Sequence, residues 1–361
     1  MYPTSVLNSN LNKINNFDYF KIHQRRYLGN KTAVLNFIEE LIKNEIGDFY
    51  SFCDIFAGTG TVSDYFNEYG KKIITNDLLL SNYICLYAWL NNTDFDFYKI
   101  QYILNELNEI KDNQDNYVSL NFGNRYFTYK NAIKIGHIRE KIEIFYETKY
   151  INFKEKTILL TSLLYAMDKV ANTVGHYDAY IERLENIKEI NLGMPYIEVG
   201  KCFDNEIFNL DANELIKNIE VDILYLDPPY NSRQYSDNYH LLENIIRWDK
   251  PNLYGKTKKF DRTSLKSKYC LSSATEIFND LIQNAKAKYI LLSYNNTENK
   301  RNNRSNAKIM DEDILNILSA KGQVKIFEKD YKIFTTGNTK LNENKERVFL
   351  CKVKNGAKKC L

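Results

Sequence analysis

A short β-rich run from Phe49 to Ala57 ends in Asp54-Ile55-Phe56-Ala57-Gly58-Thr59-Gly60, and the two elements after it leave few architectures open. A helical pattern covers Thr61 to Tyr69. A second apolar run, Lys72 to Thr75, ends at Asn76-Asp77. Strand, glycine turn, helix, strand and acidic residue, in that order, are the opening unit of a doubly wound α/β sheet. Glycines at such a turn let the backbone pass close to a ligand at the carboxyl end of the first strand.

The rest of the chain extends this unit, but only after a long interruption. Residues 1–20 are polar and Asn-rich and are expected to form a loose arm. Val34, Leu35, Ile38, Leu41 and Ile42 mark one face of a helix from Thr32 to Lys43. From Ser81 to Val199 the periodicity is mainly helical, with Leu163, Leu164, Met167 and Val170 on one apolar face. A polar gap at Lys111 to Asn116 reads as an exposed loop. Strand rhythm resumes at Ile207 to Leu210, followed by a helix at Ala212 to Ile219 and a strand at Val221 to Leu226. A buried strand, Tyr289 to Ser293, comes next, and Val324 to Phe334 with Arg347 to Val353 suit an antiparallel edge hairpin. The expected fold is α/β: a Rossmann-like doubly wound sheet formed by residues 1–80 and 200–361, interrupted by a mainly helical domain at 81–199.

Composition excludes several classes. Apolar residues make up 44%, enough for a substantial core. No secretory signal pattern is visible, and the longest apolar run, Ile158 to Met167, is too short to span a bilayer. Cys53, Cys85, Cys202, Cys270, Cys351 and Cys360 lack zinc-ligand spacing and read as free thiols in a reducing cytoplasm. His23, His137 and His176 add no metal-ligand spacing, so no metal is expected. The net charge of +3 conceals an asymmetry: Asp249 to Lys308 holds thirteen Lys and Arg against five Asp and Glu. A solvated loop would look the same, but such a block also suits a local polyanion contact.

Three groups of residues point to chemistry. Asp54, Phe56, Gly58 and Gly60 form a candidate cofactor loop, in which Phe56 could pack against an aliphatic or sulfonium part of the ligand. Asp77, 19 residues after Gly58, stands where a nucleotide-binding α/β unit places its ribose carboxylate. A plain strand–helix turn and a capping Asp would each look alike singly; together they favour an adenosine-containing cofactor. The strongest signal is Asp227-Pro228-Pro229-Tyr230 after the apolar run Ile223 to Leu226. Two prolines fix φ twice and remove two backbone donors. The Pro228 carbonyl and the Asp227 carboxylate can then both accept from one amino group, while Tyr230 offers a face for a base to stack on. That set fits a planar substrate with an exocyclic amine.

At these residues the chain resembles the Dam-like N6-adenine-specific DNA methyltransferases, and within them the α group that includes type II modification enzymes. The resemblance runs from about Arg25 to Lys352. Tyr27-Leu28-Gly29-Asn30-Lys31 is similar to the family's amino-terminal cofactor motif, which implies that Tyr27 and Lys31 reach the methionine end of S-adenosylmethionine. By the same resemblance Asp54 to Gly60 is the cofactor loop, Asp77 meets the ribose, Asp211 lies beside the cofactor adenine, and Asp227 to Tyr230 is catalytic. Asn231 to Tyr235 and Asn238-Tyr239-His240 continue as in α-group members. Tyr126-Phe127-Thr128 and Ala171 to Gly175 resemble parts of the target-recognition region. The 173 residues between Asp54 and Asp227 place that region before the catalytic motif, the α order.

The expected function is therefore site-specific methylation of adenine N6 in double-stranded DNA, after base flipping, in the cytoplasm and alongside a cognate restriction endonuclease. Asn124, Arg125, Tyr126, Asn172 and Thr173 are candidate base readers. Lys258, Lys259, Arg262, Arg301 and Arg304, with Lys256, Lys266, Lys268 and Lys300, are candidate phosphate contacts. His240 reads as a packed histidine at a helix start rather than a general base. The rivals are an RNA adenine or guanine methyltransferase, a glutamine methyltransferase, which would usually show Asn in place of Asp227, and a catalytically silent nucleic-acid-binding protein.

Overall fold

Alternate residues of the central strands turn to opposite sides and are buried on both, as the near-continuous apolar runs require of a parallel sheet covered by helices. The computed structural model describes residues 18–29, 31–68, 70–198, 204–294, 308–330 and 345–354. Its main sheet contains β1 (Ser51–Asp54), β2 (Lys72–Asn76), β3 (Glu206–Phe208), β4 (Glu220–Leu226), β5 (Lys286–Ser293), β6 (Gly322–Asp330) and β7 (Lys345–Val353). The spatial order is β3-β2-β1-β4-β5-β7-β6. The first five strands run parallel, and β7 pairs antiparallel with both β5 and β6. The fold is thus mixed α/β with a mostly parallel central sheet.

One face carries Phe52, Ile73, Ile223, Tyr225, Leu291, Val348 and Leu350, packed against α1 (Leu35–Glu45) and α2 (Thr61–Phe66). The other carries Cys53, Ile74, Leu224, Leu226, Ile290, Leu292 and Phe349. It packs against α8 (Ala212–Leu215), α11 (Ala274–Asn284) and α12 (Asp311–Lys321). The expected stripe Leu35, Ile38, Leu41 and Ile42 is the buried face of α1.

Between β2 and β3 the chain forms α3 (Leu80–Leu90), α4 (Phe97–Asn108), α5 (Tyr117–Phe122), α6 (Tyr129–Glu147) and α7 (Phe153–Val170). The polar gap before Tyr117 ends where Asn116 caps α5, accepting from the amides of Val118 and Ser119. Asn152 caps α7 in a capping box with Glu155. Helix α7 is buried around most of its circumference rather than on one face, because α3 and α6 both pack against it. Its Lys154 is buried and donates to the carbonyls of Tyr87, Ala88 and Asn91 at the end of α3. These helices share one core with α9 (Tyr235–Asn238) and α10 (His240–Arg247), the helices after the Asp227–Tyr230 segment. Arg139 of α6 binds that core together by donating to the carbonyls of Ile245 and Ile246.

Several boundaries differ from expectation. The helix after Gly60 ends at Phe66, and β3 stops at Phe208, since the Asn76 side chain takes both backbone groups of Leu210. The end of the expected strand beyond Asp330 lies outside the described residues. Part of the expected loose arm is ordered, with Tyr19–Phe20 pairing parallel to Met194–Pro195. Among the described residues Cys53, Cys85, Cys270 and Cys351 are free and buried, and no helix is long and apolar enough to cross a membrane.

Phe52 is fully buried and stacks on Phe66 at 4.7 Å and on Tyr225 at 6.0 Å. Phe52→Ala should destabilise the protein by about 3–5 kcal/mol, read as a lowered urea midpoint, with the largest part of the loss arising from the cavity between β1 and α2.

Candidate active site

Strand order reverses between β1 and β4, and a cavity opens there at the strands' carboxyl ends, where ligands of such sheets bind. Asp54 to Thr59 form one wall, and Asp77, Asp211, Asp227 and Tyr27 line it as well. The turn needs its glycines. Gly58 and Gly60 have φ of 54° and 82°, and a Cβ on Gly60 would sit 2.4 Å from Leu86 Cδ2. At Gly58 it would sit 3.1 Å from Tyr27 Cε1, so the absence of a side chain lets that ring lie over the turn.

Asp77 binds the turn to β2. Its Oδ2 accepts the Gly58 N–H at 2.9 Å, and its Oδ1 accepts from Leu79 N–H at 2.8 Å and Asn82 Nδ2 at 3.0 Å. Asp54 accepts the Ser63 hydroxyl at 2.9 Å through Oδ2. Burial pushes the Asp54 carboxyl up to about 7 and that of Asp77 up to about 6. Three residues lining the cavity each carry a buried polar atom with no partner among the described residues: Asp54 Oδ1, Tyr225 Oη and Ser236 Oγ. Unpaired polar atoms on residues that line a cleft are places where a polar ligand could supply the missing hydrogen bonds.

The arm before α1 closes the cavity. Tyr27 stacks on Tyr239 at 4.4 Å and 11° and on Tyr235 at 5.4 Å and 22°. The Leu28 N–H donates to the Tyr239 hydroxyl at 2.7 Å. These contacts deliver Lys31 to the catalytic candidate: its Nζ is 3.2 Å from Asp227 Oδ1 and 2.9 Å from Glu346 Oε1. Asn30 lies outside the described residues.

Asp227 directly succeeds the last residue of β4, and Asp227 and Pro229 line the cavity. Burial raises the Asp227 carboxyl to about 6, against the opposing pull of the Lys31 ammonium. The Pro228–Tyr230 segment is anchored through the Tyr230 carbonyl, which accepts the Lys308 N–H at 2.8 Å, and the Tyr230 ring meets Tyr294 edge-on at 6.2 Å. Asp211 caps α8 through the Asn213 N–H at 2.9 Å while lining the cavity. Phe56 meets Tyr269 edge-on at 5.1 Å. His240 is buried with both ring nitrogens against carbonyls, of Asp237 and Thr257, and burial lowers it to about 4.

The structure redirects several expected DNA contacts. Tyr126 is fully buried, its hydroxyl donating to the carbonyls of Tyr177 and Thr257, so it cannot read a base. Asn172 is buried too, its amide donating to the carbonyls of Ile181 and Arg125 and accepting from Glu185 N–H. Thr173 is likewise buried, and its carbonyl accepts from Arg26. Asn124 is exposed, with φ of 57°, and Arg125 is partly exposed. In the basic block, Lys259 pairs with Asp178 and Asp237, and Arg262 pairs with Asp237 at 2.7 Å. These charges fasten the Tyr254–Lys259 hairpin to the helical segment and to α9 rather than standing free for phosphate. Lys258, partly exposed, sits in the hairpin with φ of 54°. Lys300, Arg301 and Arg304 lie outside the described residues, and among those described no cluster of three or more metal-ligating side chains occurs.

Tyr235 and Tyr239 stand out in the sequence only through the family resemblance; their spacing of four on a helical stretch is the signal of a stacked pair. Glu346 carries no local signal, being 315 residues from the lysine it holds.

The sheet order and the cavity define an α/β fold whose cleft at the strands' carboxyl ends is lined by acidic residues and a proline-fixed loop. The chain belongs to the D12 class N6 adenine-specific DNA methyltransferase family, which it matches over residues 27–305. It is 38% identical over 281 residues to the type II methyltransferase M.NlaIII of Neisseria lactamica, covering 75% of this chain and 83% of the relative. It is 34% identical over 342 residues to modification methylase StsI of Streptococcus sanguinis, covering 89% of this chain. The match takes in 50% of StsI, so the chain spans about half the length of that relative. M.CviAII of Paramecium bursaria Chlorella virus 1 is 31% identical over 321 residues, 85% of this chain and 92% of the relative. The protein is a DNA adenine methyltransferase, and the RNA-directed, glutamine-directed and silent-binder readings give way.

Asp54 titrates near 7 in the folded protein and near 4 when unfolded. The unfolded chain therefore releases that proton first, and folding stability falls as pH rises between those values. Asp54→Asn should leave the melting temperature unchanged below pH 4 and raise it increasingly toward pH 8. A difference that is flat with pH would contradict the assigned protonation.

Proposed function

We propose that the cofactor is S-adenosylmethionine and that the target is an adenine flipped out of duplex DNA at a specific site. The observation that carries this is the position of Asp227-Pro228-Pro229-Tyr230 directly after β4, with Asp227 and Pro229 lining the same cavity as the Asp54–Gly58 turn and Asp77. Asp77 would meet the ribose hydroxyls, Asp211 the adenine edge, and Phe56 and Tyr27 the flanks of the cofactor. The partnerless Asp54 Oδ1, Tyr225 Oη and Ser236 Oγ support this, since they supply acceptors and donors for a polar ligand. Bound there, S-adenosylmethionine supplies an electrophilic methyl group.

The chain's own residues prepare the nucleophile. Adenine N6 is a weak nucleophile because its lone pair is delocalised into the ring. Asp227 and the Pro228 carbonyl would each accept one N6 hydrogen, drawing the nitrogen toward tetrahedral geometry and stabilising the charge that develops on it. The two prolines hold these acceptors without rearrangement. Tyr230 would stack on the flipped base, a contact worth about 1–3 kcal/mol. Ionised Asp227 is needed, so activity should fall as pH drops through about 6.

The helical segment 81–199 is proposed as the target-recognition domain, with the exposed Asn124 and the partly exposed Arg125 as its first candidates for reading base edges. Partnership with an endonuclease of the same site is supported by the type II names of the relatives, and a cytoplasmic location completes the proposal.

Asp227→Ala should abolish most methyl transfer to duplex DNA while cofactor affinity by calorimetry stays near that of the wild type; near-normal turnover would sink the assignment. Arg125→Ala should relax discrimination at one position of the site by about 1–3 kcal/mol, seen by sequencing methylated adenines. A uniform loss across all sequences would make Arg125 a backbone contact instead.

A further inference from the structure

We infer that Glu346 is a positioning residue for methyl transfer: by holding the Lys31 ammonium it divides that charge between two carboxylates and leaves Asp227 able to accept the substrate amine. The inference rests on the reading of Asp227 as the N6 acceptor.

Glu346 stands on β7, on the same side as Val348 and Leu350, the side that faces α1 and the arm. Its Oε1 accepts from Lys31 Nζ at 2.9 Å and from the Ser293 hydroxyl at 2.7 Å. Ser293 ends β5, next to the end of β4, so the sheet itself fixes the carboxylate beside the catalytic loop. Lys31 is nearly buried, and its distance to Asp227 Oδ1, 3.2 Å, exceeds that to Glu346. The lysine is thus drawn toward the carboxylate that does not meet substrate.

The charged and titratable groups described around the pair come from several elements. The arm contributes Lys31, β1 contributes Asp54, β4 and its loop contribute Tyr225, Asp227 and Tyr230, and α9 contributes Tyr235. Strand β6 adds Lys329, opposite Glu346 in the β6–β7 register and with its ammonium 5.6 Å from the Phe37 ring. Lys31 is the cation placed against both carboxylates, and Arg233 adds a weaker pull on Tyr230. Arg347, the residue after Glu346, is engaged with Asp311 through two hydrogen bonds of 2.6 and 2.8 Å. An ammonium with one carboxylate partner would pair with it fully, and Asp227 would then be a weaker acceptor for a third group. Two carboxylates sharing one ammonium keep acceptor capacity on Asp227.

The test is Glu346→Gln, which keeps the size and the acceptor oxygen but removes the charge. Single-turnover methyl transfer would be tracked against pH at saturating S-adenosylmethionine and duplex DNA. The plateau rate should fall about tenfold, with KM for DNA and cofactor affinity within about threefold of wild type. Without the neighbouring negative charge, Lys31 favours ionised Asp227 more strongly, so the acid limb should move to lower pH. In a Lys31→Met background the same substitution should change the rate little. A wild-type rate and limb, or a full loss persisting in the Lys31→Met background, would overturn the inference. Should Glu346→Gln fail to fold, Ser293→Ala loosens the same carboxylate and should lower the rate in the same direction; an unaltered profile there overturns it equally. Asp227→Ala, which removes the acceptor, separates the two claims: an active Asp227→Ala enzyme removes the underlying reading, whereas an inactive one beside a normal Glu346→Gln enzyme removes this inference alone.

Discussion

Parallel pairing of β1 with β4, running from Phe52 opposite Ile223 to Asp54 opposite Tyr225, is the constraint on which the whole site depends. It places the Asp54–Gly60 turn and the Asp227–Tyr230 loop side by side at adjacent strand ends. A slip of one residue would turn Tyr225 and Leu224 to the wrong faces and exchange two buried apolar sets. The burial of both faces therefore holds the register that the chemistry needs. Everything else in the cavity is positioned relative to this pair.

The arm and the antiparallel strand β7 complete the site from opposite directions. Tyr27, Tyr235 and Tyr239 form a stack that ties the arm to the helices after the catalytic loop. Lys31 and Glu346 then join the arm to the antiparallel strand β7. The site gathers acidic groups: Asp54 is buried, Asp77 and Asp227 are partly buried, and loss of solvent raises all three carboxyls. Such an arrangement disfavours the empty protein at neutral pH and favours ligands that bring hydrogen-bond donors or positive charge. That is a stability sacrifice at a functional site.

The helical segment is joined to the catalytic loop by packing as well as by chain. Its core includes Leu241, Leu242 and Ile245 of α10, and Tyr126 reaches Thr257 in the hairpin beyond. Tyr126 and Asn172 resemble base readers because polar and aromatic residues in such a segment suggest contact with bases. Their side chains instead satisfy backbone groups of the irregular stretch around Tyr177 to Glu185, where regular structure supplies no partners. The basic block misleads for a related reason: a charge count does not reveal that Asp178 and Asp237 lie opposite Lys259 and Arg262.

The features that can be read along the chain are local ones. The glycine turn at Gly58–Gly60, the acid at Asp77, the rigid Asp227-Pro228-Pro229-Tyr230 loop and the two-sided apolar strands all arise from φ restrictions and side-chain periodicity, which act over a few residues. Those features, with the family they resemble, sufficed for the α/β class; of the residues they single out, Asp54, Phe56, Gly58, Asp77, Asp227 and Pro229 line the cavity. Which charges stand free and which are paired was settled by folding, because pairing depends on residues brought together from distant parts of the chain. Lys31 meets Asp227 and Glu346, Arg262 meets Asp237, and Arg25 is buried against Asp168 through sheet order and helix packing, which no short window of sequence encodes.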